Sequence, residues 1–359
     1  MSGKRMSDVI ARFIDQAATD DPKFYSDNHL QGIMQGKLNG NDTIFSYGTH
    51  FPLAEIIPSG DTRRGWWLLN GDRWRGGGGW GRSTSGQQTE IQQLVKKTGL
   101  PFIIVPFSAL SQAGIKHNSI QAVDILPERY TWEPHTRDAA PDKYEQENEW
   151  YGRNWQQLAD GRWSYETRVH HLGESLFRAD YQYWQREQAY MDLETHLWVR
   201  PQGHYVDGSA YFLSAFDENE PGFGLYFLAQ LPDGAYPQTV AEAREALKPA
   251  AVRFAESVLR KEVLRQGDVF AIPSVLATRD LTGPSKRSEH VLGVNHQVTE
   301  VRKLGSATFG RGVMRHRPQE WGRRPEHRAL KLGDRKTWYE LVKNTVPEGR
   351  SWSLGGNVD

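Results

Sequence analysis

The sequence predicts an α+β fold, predominantly antiparallel β, in two domains whose C-terminal part forms a small sheet or partly open barrel. Three observations lead there. Short apolar or alternating runs, each bounded by Gly, Pro, Asn or Asp, recur along the chain as strands do. Helical periodicity is confined to a few short stretches. A length of 359 residues suggests about two domains. A polar, acidic stretch without apolar periodicity separates residues 1–133 from 161–359, and 134–160 reads as a linker.

Taken in order, residues 7–18 read as an amphipathic helix with Ser7 as N-cap and Val9, Ile10, Phe13 and Ile14 on one face. Residues 19–42 read as loop. Residues 43–57 give two short strands broken at Gly48 and Pro52, and 65–70 give another before the turn signal Asn70-Gly71-Asp72. A helix over 87–97 ends at Gly99, and 100–107 is a buried strand, so 64–107 form a β-loop-α-β unit. A helical turn at 108–114 and a strand at 123–126 follow. The second half opens with strands at 163–170 and 174–179 around His171-Leu172-Gly173. Two more, at 209–216 and 224–231, flank an acidic tip at 217–221. Thr239-x-x-Glu242 is a capping box opening a helix to Leu247, and Pro249 starts a second helix to about Lys261. Strands at 269–272 and 296–301, a turn at Leu304-Gly305-Ser306, a returning strand at 307–314 and a last strand at 337–342 make the C-terminal sheet.

Composition narrows the class. Hydrophobic residues are 38% and charged residues 25% of the chain, which is globular rather than disordered. Cysteine is absent, so disulfides, thiolate metal ligands and a Cys nucleophile are excluded. The N-terminus has no apolar signal region, and no stretch approaches the roughly 18 apolar residues of a membrane span. A cytoplasmic protein without a membrane partner is expected. Thirteen Trp call for large cores or stacking surfaces.

Two stretches offer working surfaces. In the first, Gly76 to Gly79 lie between Trp74 and Trp80, with Arg73, Arg75 and Arg82 around them and Ser83, Thr84 and Ser85 ahead of a helix. Free backbone N–H groups and a helix N-terminus favour phosphate. Gly76-x-x-x-x-Gly81-Arg82-Ser83 resembles a Walker A loop, but Arg replaces the required Lys and no strand ending in a magnesium-binding Asp follows. A basic loop that touches phosphate is the better reading. In the second stretch, Arg311, Arg315, Arg317, Arg323, Arg324, Arg328, Lys331, Arg335 and Lys336 stand against Glu320, Glu326 and Asp334, a balance of 9 − 3 = +6 in a neutral chain. Trp321, His316 and His327 are interleaved. Local positive charge with aromatics is the footprint of a nucleic-acid site; a solvated loop paired with acids elsewhere is the plainer alternative. On the 296–314 hairpin, His296 and His316 approach each other with Glu300 close by if the strand stays regular. Such a trio suits a divalent metal, or general acid/base work by His296, Glu300 and His316; exposed polar residues on a wet sheet face are the plainer alternative.

The segments FSYGTHFPLA, LLNGDRW with STSGQQ, VPFSAL, YFLSAFDENEP, YFLAQLP, LRQGDVFAIP, VNHQVTEVR and TWYELVKNTVP resemble uncharacterised proteins carried by bacteriophages and actinobacterial plasmids. The resemblance spans most of the chain and implies work on DNA or RNA by association with mobile elements. The leading expectation is therefore a nucleic-acid-binding protein, with phosphate contacts from the 73–85 and 311–336 stretches and base stacking on Trp74, Trp80 or Trp321. The alternatives are a metal-dependent hydrolase or nuclease centred on His296, Glu300 and His316, and a self-associating structural component of a phage particle.

Overall fold

The computed structural model describes Phe13 and residues 33–38, 41–46, 51–59, 62–72, 81–149, 151–171, 173–185, 190–199, 203–216, 226–267, 269–292, 296–316, 329–334, 336–344, 351–353 and 356–357; some of these, such as 81–85, 283–290 and 316, are described by backbone alone. The architecture is mostly antiparallel sheets with a few short helices, and no sheet closes into a barrel among the described residues. The chain divides into two compact units: Leu126–Glu174, and the remainder.

In the larger unit the first sheet runs in the order β1-β2-β3-β4-β5: β1 (Ile33–Leu38), β2 (Asn41–Ser46), β3 (Phe51–Ser59), β4 (Thr62–Asn70) and β5 (Phe102–Val105). Between β4 and β5 the chain forms helix α1 (Gly81–Thr98). Trp67 to Asn70 pair in parallel with Phe102 to Val105, so the expected β-loop-α-β unit is present. Gly99, at φ 72°, ends α1 in the left-handed conformation that glycine adopts without strain. After β5 come α2 (Phe107–Gln112), a 3-10 turn His117–Ser119 and β6 (Gln121–Leu126). Strand β1 replaces part of the expected 19–42 loop. Of the expected 7–18 helix, only Phe13 lies within the described residues, buried with its ring 5.8 Å from that of Trp67.

The smaller unit is one sheet in the order β7-β9-β8, from β7 (Arg129–Arg137), β8 (Arg153–Gln157) and β9 (Trp163–His171), with a capped turn of helix, α3 (Lys143–Glu147). The stretch read as linker thus holds the end of β7, all of α3 and all of β8. None of the large apolar side chains described in this unit is fully buried. Stacking takes the place of a core. Trp155 lies 4.2 Å from Tyr165 at an interplanar angle of 10°, and the Arg137 guanidinium sits 4.7 Å above Trp155 while donating to Glu145. Arg153 covers Trp132 and Arg168 covers Tyr130, each at 3.7 Å.

Returning to the larger unit, β10 (Glu174–Gln185) leads through the short β11 (Tyr190–Met191) and β12 (Trp198–Val199) to β13 (His204–Phe216) and β14 (Tyr226–Gln230). The expected hairpin of 163–170 with 174–179 does not form: β9 pairs with β7 and β8, whereas β10 pairs with β13 along eleven residues of each. Faces of the first sheet and of the β13-centred sheet meet in one core, where Ile57, Leu68 and Ile103 pack with Phe177, Phe212 and Leu228. Helices α4 (Val240–Leu247) and α5 (Ala250–Ser257) form where expected, but α5 ends at Ser257, short of Lys261. The Thr239 hydroxyl accepts from Glu242 N at 3.1 Å, but the Glu242 carboxylate reaches Gln238 N rather than the cap residue's own. Then come β15 (Leu264–Gln266), β16 (Val269–Pro273), β17 (Thr282–Val291), β18 (His296–Leu304), β19 (Ala307–His316), β20 (Leu330–Leu332) and β21 (Tyr339–Lys343). They order as β15-β16-β21-β19-β18-β17, with β20 on β19, an open sheet that contains the predicted β18–β19 hairpin. Strands β22 (Ser351–Ser353) and β23 (Gly356–Asn357) extend the sheet of β14.

Candidate functional site

Four sequence segments far apart in the chain meet at one end of the first sheet, the carboxyl end of the parallel strands β4 and β5. Asn70 ends β4, and Asp72 follows it; Ser108 sits in the first turn of α2, just after β5; Gln87 and Gln88 lie near the start of α1; Ser46 ends β2. All but Ser108 are buried. Asp72 accepts from the Ser108 hydroxyl at 2.6 Å and from Ser108 N at 2.8 Å, while Asn70 Oδ1 accepts from Phe107 N at 3.3 Å. Helix α2 begins after Pro106, whose side chain offers no cap. Asn70 at the end of β4 and Asp72 just after it therefore satisfy its first donors, as an N-cap normally does. Gln88 Nε2 donates to the carbonyl oxygens of Asn70 and of Asp72, the latter at 2.8 Å, and Asn70 Nδ2 donates to Pro52 O at 2.7 Å. Ser46 donates to Gln87 Oε1 at 2.6 Å. Burial pushes the Asp72 carboxyl up, and the Ser108 hydrogen bonds oppose that shift.

Beneath this end lies a second buried group. Glu55 on β3 is 0% exposed and His117 is 2% exposed. His117 Nδ1 stands 3.0 and 3.1 Å from the two carboxylate oxygens, and Asn41 Nδ2 donates to the same carboxylate at 3.2 Å. The His117 ring meets Phe107 edge-on with centroids 5.4 Å apart, so the pair and the Asn70–Asp72 network flank one aromatic residue. With both side chains all but closed to solvent, Glu55 and His117 act as a satisfied polar bolt between β3 and the His117–Ser119 turn. Sequence reasoning missed every residue of both networks. The signals were a lone Glu inside the apolar run FPLAEII, and Asn70-Gly71-Asp72, read only as a turn.

Of the expected phosphate-contacting residues, Arg73, Trp74, Arg75 and Trp80 lie outside the described residues. Arg82, Ser83 and Ser85 fall in the first turns of α1, whose first turn carries no acidic residue. Arg315 is exposed on β19. Arg311 is engaged within the sheet: it pairs with Glu300 at 2.5 Å and stacks 4.5 Å above the fully buried Trp338. Arg317, Trp321, Arg323 and Arg324 lie outside the described residues.

Of the His/Glu trio, only the backbone of His316 is described, and His296 and Glu300 part. His296 and His316 do face each other in the β18–β19 register, and His296 is buried across from Val291 of β17. The register then slips: Val298 pairs with Met314 but Glu300 with Arg311, so Gly312 and Val313 together oppose Thr299. Val298 and Val301, three residues apart, both enter the same core, which turns Glu300 to the opposite face from His296. Among the described residues no three His, Asp or Glu side chains converge as a metal site would require. No described helix is long and apolar enough to cross a membrane. Comparison with protein-family models, curated proteins and solved structures returned no match for this chain.

Proposed function

We propose that this protein binds nucleic acid, and that the carboxyl end of β4 and β5 is the surface that meets phosphate. The observation that carries the reading is the parallel β4–α1–β5 crossover. Ligands of open sheets gather at the carboxyl ends of parallel strands, beside the N-terminus of the crossover helix. Here that helix opens on Arg82, Ser83, Thr84 and Ser85 with no acid in its first turn. The arrangement has a polar floor already ordered by Asn70, Asp72, Gln88 and Ser108, so little conformational freedom is lost there on binding. Arg315 on β19, leading toward the basic 317–328 stretch, supplies a second phosphate contact in an otherwise neutral chain.

Titration of labelled single-stranded DNA, duplex DNA and RNA over a salt series tests the reading. Salt-dependent binding is expected, and each arginine reversed among Arg82, Arg315, Arg317 and Arg323 lowers the salt slope by about 0.7 to 0.9. Absence of binding to all three, or binding indifferent to these reversals, refutes it. Adding magnesium or manganese to the same series separates binding from the metal-dependent nuclease alternative, for which only the facing positions of His296 and His316 remain.

A further inference from the structure

A small open pocket lies in the larger unit where helix α4, strand β13 and the β15–β16 hairpin meet. Counting its mouth, it spans about 290 Å³. Leu213 of β13, Leu247 of α4 and Phe270 of β16 are among its apolar walls. Its polar lining is Arg244 on α4, Arg265 on β15 and Asn344 just after β21, and no acidic side chain is among the lining residues. Arg244 and Leu247 lie three apart on α4, so they share one face of the helix. Arg265 stands opposite Phe270 in the β15–β16 register, with its guanidinium 5.3 Å from the ring centroid, and its Nε donates to Gly267 O at 2.7 Å. The hairpin thus sets the direction of that guanidinium before any ligand arrives, and less freedom is lost on binding.

An apolar wall with a purely cationic and amide rim suits an acid group on an apolar body. A guanidinium offers five N–H donors in a planar fork, so contacts inside the chain and two oxygens of an acid group can be served together. Two guanidinium groups lining one small pocket also repel, and an anion between them removes that cost. The size limits the ligand: with its mouth included, the pocket falls just below the roughly 300–1,000 Å³ of drug-sized sites, enough for one acid group with a ring or short branch. We propose that this pocket binds a small organic oxyanion, its carboxylate or phosphate held by Arg244 and Arg265 and its apolar body against Leu213, Leu247 and Phe270. Its residues are not those of the nucleic-acid reading, so the two stand or fall separately.

Saturation-transfer NMR of benzoate with the full chain at constant ionic strength tests this, with benzyl alcohol as the uncharged counterpart and inorganic phosphate as competitor. Benzoate is expected to bind with a Kd on the order of 1 mM. Phosphate displaces it, and benzyl alcohol binds about tenfold or more weakly. Arg244→Gln and Arg265→Gln each weaken benzoate about tenfold. Arg279→Gln, at a side chain 89% exposed that does not line the pocket, leaves binding as it was. Thermal midpoints check that the variants fold, and Arg265→Lys, which keeps the charge but loses the fork, binds a few-fold more weakly. Absence of benzoate binding to the unaltered chain, or equal binding to the arginine variants, overturns the proposal. Benzyl alcohol that binds as well as benzoate overturns the anion assignment, and phosphate that fails to displace benzoate overturns the shared oxyanion site.

Discussion

Replacing Glu55 by Leu removes one carboxylate and leaves two buried donors, His117 Nδ1 and Asn41 Nδ2, without their acceptor. A buried donor left unsatisfied costs about 1–3 kcal/mol. With two donors stranded, Glu55→Leu should destabilise by about 2–6 kcal/mol. His117→Phe leaves the fully buried Glu55 side chain with Asn41 as its remaining donor in this group, and a cost of about 1–3 kcal/mol follows. The double variant should be far less damaged than the sum. It buries two apolar side chains where the pair stood and leaves Asn41 alone to be accommodated, at about 1–3 kcal/mol. Urea unfolding followed by circular dichroism gives the three midpoints, and a constant slope with denaturant confirms that compactness is unchanged. A coupling of about 2 kcal/mol or more is expected. Additivity within about 0.5 kcal/mol would refute the bolt, because uncoupled sites behave that way.

Two further outcomes follow from the same geometry. Burial raises the Asp72 carboxyl, so its contribution to stability is full below the ordinary carboxylate range and is lost as pH rises through its raised folded value. Urea midpoints across an acid-to-neutral series should show Asp72→Asn with a shallower decline, and Asp72→Ala lower by about 1–3 kcal/mol because the Ser108 donors lose their acceptor. In the smaller unit, Trp155→Ala removes the stack on Tyr165, and amide hydrogen exchange should quicken by a few-fold to about tenfold across residues 126–174 while the Phe177–Phe212 core keeps its protection.

What the sequence disclosed was local. Gly99 marks the end of α1, Thr239 and Glu242 the start of α4, and the alternation over 296–301 with Gly305 at the turn marks the β18–β19 hairpin; each signal lies within a few residues of the feature it sets. What stayed hidden depended on distant partners. Glu55 meets His117 sixty-two positions on, and Asp72 meets Ser108 thirty-six positions on. Strand β10 ignores the neighbouring β9 for β13, beside which Phe177, Ala179 and Tyr181 enter the same core as Phe212. The stretch 134–160 read as linker because its strands bury no apolar row. Aromatic rings and guanidinium groups hold them instead, a pattern that apolar periodicity does not register.

The fate of His296 and Glu300 shows how small a departure separates a site from a surface. Four residues apart on a regular strand, both side chains share a face. Here one extra residue on the partner strand is enough to part them. Gly312 takes φ 98°, a conformation that a side chain resists, and a Cβ there would stand 2.9 Å from the Thr299 side chain. Thr299 also braces the slip by accepting from Val313 N at 3.1 Å. With the phase shifted, Glu300 finds Arg311 and the Trp338 side of the sheet, while His296 enters the core with Val291. The carboxylate is spent on holding a guanidinium against an aromatic ring. Among the described side chains, a buried polar network forms where strand ends and a helix start leave backbone donors to be satisfied, at the carboxyl end of β4 and β5.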